Sequence, residues 1–253
     1  MLRLFRRDAP RVDPSQFEVS HAGDTYRVVI KRVASARRFT LRVRSATRDV
    51  VLTMPVRGSL VAAREFTDAH GGWIGARLKR LPQPVLFVPG ASVPVRGVEH
   101  VIRHRAGARG TAWIEADGAH GLALCVAGAE PHVGRRVGDY LKKEARRDLE
   151  AAVAHHTAAI GVPVRSITLR DTTSRWGSCS SQGALNFSWR LVLAPSYVLD
   201  YLAAHEVAHL VHMNHSARFW KLTRSLSPDT DRAEAWLKAQ GAGLYRFGAK
   251  GGD

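Results

Sequence analysis

Cysteine is scarce: the 253 residues hold two, Cys125 and Cys179. A scaffold stapled by several disulfides is therefore excluded, and a pair so far apart in sequence reads as two free thiols. Long apolar runs are missing as well, since no stretch approaches the roughly 20 residues that span a bilayer. The basic start, Met1 to Arg11, has no apolar segment behind it and does not read as a secretory signal. Together these absences predict a cytoplasmic chain with no membrane attachment. Acidic residues are also in short supply, 22 Asp+Glu against 38 Lys+Arg, for a net charge of +16. What the chain does have is apolar content of 45% and length enough to build a core without covalent staples.

The charge is uneven. Residues 1–110 carry 21 Lys+Arg and 8 Asp+Glu, a net of +13, whereas residues 111–253 carry 17 and 14, a net of +3. A basic region of this strength can hold nucleic acid through phosphate contacts, and it can equally be a solvated surface. No zinc-finger spacing and no RNP pattern accompanies it.

The apolar pattern predicts an α+β chain. Residues 1–15, with Pro10 and Pro14, read as a flexible tail, and residues 16–130 as a β-rich basic region with one helix. Tyr26 to Ile30 follows a His-Ala-Gly-Asp turn, Phe39 to Arg44 alternates apolar with basic, and Val50 to Met54 stops at Pro55. One helix is expected over 59–80, with Ser59 as N-cap and Phe66, Trp73, Ile74 and Leu78 on its apolar face. Short strands are expected around 85–88, 93–104, 111–115 and 121–126. The pattern changes near Pro131. Val133, Val137, Leu141, Ala145, Leu149, Ala152 and Val153 recur at helical spacing over 132–160, and Gly161 and Pro163 end that helix. Residues 131–240 form the second expected domain, helical with a small sheet. Its strands are expected at 164–169 and 184–193 and its later helices at 196–212, 216–226 and 229–240. Residues 175–180 are too rich in Gly and Ser for regular structure. Residues 241–253 read as a frayed tail. His155 and His156 read as a solvated pair, and no internal repeat is legible.

The chemistry lies at residues 205–209, His-Glu-Val-Ala-His. On a helix, residues four apart sit about 40° apart around the axis and roughly 6 Å along it. The imidazoles of His205 and His209 can therefore converge on one zinc ion, while Glu206, about 100° away, reaches a water on that ion. Leu199, Ala203, Val207 and Leu210 form a stripe that would seat the helix on the core. Three residues compete for the third ligand. His215 follows His209 by six residues, the metzincin spacing. His212 shares the helical face but lies farther along the axis, and Glu234 could approach from a later helix. His215 is favoured, because Asn214 suits a helix end in the left-handed conformation, after which the chain can turn back. The metzincin glycine is absent, its place taken by His212, so the turn must differ from that pattern.

The run Arg175-Trp176-Gly177-Ser178-Cys179-Ser180, then Leu185-Asn186, Pro195, Asp200-Tyr201, His205-Glu206-x-x-His209, Asn214-His215-Ser216 and Phe219-Trp220, resembles the YgjP-like metallopeptidases. These are zincin-type proteins related at the motif level to SprT-like peptidases. The likeness is close over about 165–240 and weaker in the β-rich first half. It implies a zincin-like domain over 131–240, zinc on His205, His209 and His215, and a peptide or protein substrate. Val207 stands where the family usually has Leu.

The function expected is a zinc metallopeptidase with one zinc per chain, in which a zinc-activated water attacks and Glu206 is the general base. Tyr201, Arg175 and His212 are candidates for contacts to the transition state or substrate, Tyr201 first because it lies one turn before His205. Cys179 is read as neither ligand nor nucleophile. Asn186 is expected to position the 175–180 segment, and Phe219 and Trp220 to pack beneath the site. The alternative is a nucleic-acid-associated protein with a basic N-terminal half, its zinc either structural or serving a protease recruited to nucleic acid. Glu206 separates the two, since a structural site has no need of a glutamate beside its first ligand.

Overall fold

Alternating apolar residues make strands that bury one face, and in the first third of the chain that face is covered by helices. The computed structural model describes residues 15–44, 48–81, 83–118, 121–172 and 175–248. The expected tail at 1–15 lies outside them except for Ser15. The chain divides into two compact units, residues 1–82 and 83–253.

The first unit contains β1 (Gln16–His21), β2 (Asp24–Val33), β3 (Thr40–Val43) and β4 (Val50–Pro55) in the order β1-β2-β4-β3. The β1–β2 hairpin turns at Ala22-Gly23, both at positive φ (51° and 84°), the geometry that matches the twist of a two-residue hairpin. β2 and β4 run parallel, and β3 returns antiparallel to β4. Phe17, Val19, Val28, Leu52 and Met54 pack with Ala63 and Ile74 of the helices into one core. The single helix expected over 59–80 is two, α1 (Leu60–Ala69) and α2 (Gly71–Lys79), broken at His70 (φ −103°, ψ 10°). The break lets Gly71 meet the His21 side chain, where a Cβ would come within 2.8 Å of it. Ser59 caps α1 as expected, its Oγ accepting from the Ala62 amide. Trp73, expected on the apolar face, is 47% exposed, because the break turns its position outward while Ile74 stays buried.

The second unit opens with β5 (Ser92–Val95), β6 (Val98–Arg105), β7 (Ala112–Ala116) and β8 (Leu122–Ala127), ordered β5-β6-β8-β7. The topology of the first sheet recurs here in full. β5–β6 is an antiparallel hairpin, β6 and β8 run parallel, and β7 returns antiparallel to β8. Even the hairpin turn repeats, since Arg96-Gly97 has φ of 54° and 79°. A structural repeat thus exists where none was legible. Residues 85–88 form no strand; Val85 makes an isolated bridge to Phe247 instead.

α3 (Val133–Ile160) follows, closed by Gly161 in the left-handed conformation (φ 66°). Its stripe of Val133, Val137, Leu141, Ala145, Leu149 and Val153 is buried as the spacing predicts. α3 packs on β7, β8 and β9 and on α4, so the expected boundary near Pro131 falls inside one compact unit: the second sheet and the helices share a core. β9 (Ser166–Arg170), β10 (Gly177–Cys179) and β11 (Ala184–Ser188) form a small sheet in the order β10-β11-β9. β10 lies in the segment expected to be irregular. It pairs antiparallel with β11, which supplies the ladder that its own composition does not favour. Residues 189–193 form a short 3-10 turn rather than more strand. α4 (Ser196–Ala208), α5 (Ala217–Leu226) and α6 (Thr230–Gln240) complete the unit.

Two further expectations are corrected. Residues 241–248 are not frayed: Leu244, Tyr245 and Phe247 are buried, and Tyr245 stacks on Trp176 at 4.9 Å. His156 is not solvated; it is 1% exposed and its Nε2 lies 2.8 Å from Asp200. Burial pushes the Asp200 carboxyl up, but the hydrogen bond from His156 and the charge of the nearby histidines outweigh it and hold the group below the usual aspartate range. Both cysteines are free, Cys125 buried. Among the described residues no helix is long and apolar enough to cross a membrane.

Candidate metal centre

α4 carries the motif and is packed against α3, α5, α6 and β10. Leu199, Ala203 and Val207 are buried as expected, but so are Val198, Leu202, Ala204 and Ala208 on the other faces. The one-sided stripe read from sequence is thus corrected: the helix is enclosed almost all round, as an apolar helix must be. It also ends four residues earlier than expected, with His209 as C-cap. The Leu210 amide donates to Val207 O (2.9 Å), and those of Val211 and His212 to Ala208 O (3.1 and 2.9 Å), tightening the last turn. Asn214 is not left-handed. The reversal is made instead by a tight turn in which the Ser216 amide donates to Asn214 O (2.9 Å), and Ser216 then caps α5 through the Phe219 amide.

That turn brings His215 back over the helix. Donor nitrogens of His205, His209 and His215 all lie within 4.8 Å of one another, and Nε2 of His205 is 3.2 Å from Nε2 of His215. Ligand atoms about 2.0–2.1 Å from a tetrahedral ion are separated by roughly 3.3 Å, so this spacing fits a zinc site. Phe219, fully buried, sets its ring 4.9, 4.5 and 4.7 Å from the three imidazoles in turn. Trp220 stacks against His215 at 5.7 Å. The two aromatic rings thus pack against the cluster, the place expected for the Phe219-Trp220 pair. Burial, reinforced by His209 and His215, pushes His205 down to about 4. His209 is also lowered, by burial first. His205 and His209 are thereby biased toward the neutral imidazole, the form that binds metal.

Glu206 is 4% exposed, and burial raises its carboxyl to about 7 against the opposing positive charge of Arg175. Arg175 itself is exposed. Gly177 on β10 faces the carboxylate so closely that a Cβ there would lie 2.8 Å from both Cγ and Cδ of Glu206 and nearer still to Oε1. The glycine makes room for the catalytic-base candidate, a role that no spacing in the sequence reveals. Cys179, two residues on, has its thiol pushed up by burial and by the Glu206 charge, so it is held as the thiol rather than the reactive thiolate. Asn186 reaches Ser178 Oγ in a long contact of 3.5 Å and accepts from Arg170 Nε at 3.3 Å.

The remaining candidates are placed as follows. Tyr201 is 4% exposed, and its hydroxyl lies 3.3 Å from His205 Nδ1 and 2.9 Å from Glu234 Oε1. His212 meets the cluster through its main chain: its carbonyl oxygen lies 3.0 Å from His209 Nδ1. Glu234 touches Tyr201 and is not among the atoms with metal-ligand spacing.

The family model of the YgjP-like metallopeptidase domain matches residues 37–240. The chain belongs to the YgjP-like family. Its members are metallopeptidases, and the chain is accordingly an enzyme acting on peptide bonds. Among solved structures, the metallopeptidase zymogen abylysin of Pyrococcus abyssi aligns with 39% of this chain and 97% of its own, at 20% identity and a TM-score of 0.34. A likeness that partial carries no weight for fold or chemistry. A search of the curated proteins finds no match. The YgjP-like match takes in the β-rich first half from β3 onward as well as the helical part, whereas the sequence motifs lie within 175–220.

Proposed function

We propose that this YgjP-like chain is a zinc-dependent peptidase in which His205, His209 and His215 hold one zinc ion and Glu206 is the general base. The observation that carries the reading is the convergence of three imidazoles, two from α4 and its C-cap and one from the turn after it, beside the buried carboxylate of Glu206 on α4. Zinc bound there polarises a peptide carbonyl and acidifies a water. Glu206 takes the proton of the attacking water and passes it to the leaving amine, a task suited to a carboxyl whose proton affinity lies near neutrality. Arg175, on the open side and close enough for its charge to act on Glu206, is the donor available to the developing oxyanion. The substrate is a peptide or protein, and the two free thiols fit a reducing compartment such as the cytoplasm.

The test is metal analysis of the purified chain together with cleavage of a peptide library. About one zinc per chain is expected. Cleavage should vanish after dialysis against a chelator and return when zinc is added. Cleavage by metal-free protein at the original rate would defeat the reading.

Gly177 offers a second check. Gly177→Ala should lower kcat by about 10- to 100-fold, since displacing a catalytic group by as little as an ångström has effects of that order. The three atoms nearest a Cβ there all belong to Glu206, so zinc content should stay the same. Steady-state kinetics beside metal analysis reads both, and an unchanged kcat would show that β10 yields instead of Glu206.

A further inference from the structure

Both helix histidines have their second ring nitrogen engaged, and in different ways. His209 Nδ1 faces a main-chain carbonyl, that of His212, at 3.0 Å. A carbonyl only accepts, so Nδ1 of His209 carries the hydrogen and Nε2 is bare. His205 Nδ1 faces a hydroxyl, which can donate or accept, so the Tyr201 contact alone leaves its tautomer open. Glu234 removes the ambiguity. The Tyr201 hydroxyl donates to Glu234 Oε1 at 2.9 Å, which leaves a phenol lone pair toward His205 at 3.3 Å. Nδ1 of His205 must then be the donor, and its bare nitrogen is Nε2, the atom 3.2 Å from His215 Nε2.

We propose that Glu234 and Tyr201 form a relay that fixes the tautomer and ring orientation of His205 and so strengthens zinc binding by the three histidines. The inference rests on the zinc reading above. Tyr201 and Glu234 are positioning residues here: they act on the metal through His205, and the hydroxyl of Tyr201 is committed within a side chain only 4% exposed. The relay joins α6 to α4, so the last long helix of the chain takes part in a site whose ligands lie on α4 and the turn after it. Partners that fix a ligand histidine in this way are typically worth about 10- to 100-fold in metal affinity.

Removing Glu234 frees the Tyr201 hydroxyl to donate toward Nδ1, which favours the opposite tautomer with hydrogen on Nε2. The two substitutions at 234 therefore have different outcomes. Gln keeps an oxygen that accepts from Tyr201, whereas Ala does not.

The experiment measures zinc affinity of the full chain by competition with a chromogenic chelator, together with the imidazole 15N spectrum of the metal-free protein. Tyr201→Phe, which keeps the packed ring, should bind zinc about 10- to 100-fold more weakly, and so should Glu234→Ala. Glu234→Gln should stay within about threefold of wild type, below that range. In Glu234→Ala, His205 should shift from Nδ1–H toward Nε2–H. Zinc affinity within about twofold of wild type for Tyr201→Phe or Glu234→Ala, where the full effect is expected, overturns the relay. An unshifted His205 spectrum in Glu234→Ala, a readout that a merely structural role would not move, overturns it as well. If His205→Ala also binds zinc as tightly as wild type, the three-histidine site itself is wrong, which distinguishes failure of the larger reading from failure of the relay.

Discussion

Glu206→Gln should retain about one zinc per chain and lose roughly 10²- to 10⁴-fold in kcat, the usual span for removal of a positioned general base. Gln matches Glu in size, so the space that Gly177 leaves is still filled, and the three imidazoles are untouched. What disappears is the proton acceptor. The carboxyl is suited to the part because burial has raised it to about 7, close to the pH at which it must both take and return a proton. The same variant decides between a catalytic and a structural zinc, since a structural site would show no consequence beyond a change in stability. Metal analysis and cleavage assays on matched preparations give both quantities. Full turnover by Glu206→Gln on any substrate the wild type cleaves would remove Glu206 from the chemistry.

The second large effect concerns the third ligand. His215→Ala should reduce bound zinc from about one per chain to near zero after dialysis, because two protein ligands do not make the three that catalytic zinc sites use. His212→Ala should keep its zinc. The contact of His212 to the cluster is a carbonyl oxygen facing His209 Nδ1, which alanine also supplies. Loss of metal in His212→Ala with full retention in His215→Ala would reverse the assignment. The comparison is sharp because the two histidines lie three residues apart and both are candidates by spacing alone.

Much of this site is local in sequence. The His205–His209 pair follows from helical geometry, and the apolar spacing of α3 gave its length to within a residue. The return of the chain to His215 was expected for the wrong reason: a left-handed Asn214 was foreseen, and a chain of tight main-chain turns does the work. Contacts between distant elements left no trace in the sequence. Gly177 opposite Glu206, Glu234 on Tyr201 and His156 on Asp200 each join residues 29 to 44 positions apart in the chain. β10 is a strand because of its neighbour β11, not because of its own residues. The 241–248 segment looked frayed because Gly and Ala dominate its start, while Leu244, Tyr245 and Phe247 anchor it.

The recurrence of the β1-β2-β4-β3 order in β5-β6-β8-β7 bears on how the chain reaches its native state. Two stretches that fold to the same strand plan compete, in principle, for each other's partners, and tandem units of one topology are prone to exchange elements while they fold. Pairing register is set by which residues each strand must bury, so strands with different apolar patterns make poor substitutes. Counted back from the two hairpin turns, Phe17 and His21 of the first unit stand where the second has Ala91 and Val95, and these side chains differ in bulk and polarity. The divergence that hides the repeat from a reading of the sequence is thus also what keeps the nascent sheets from trading strands.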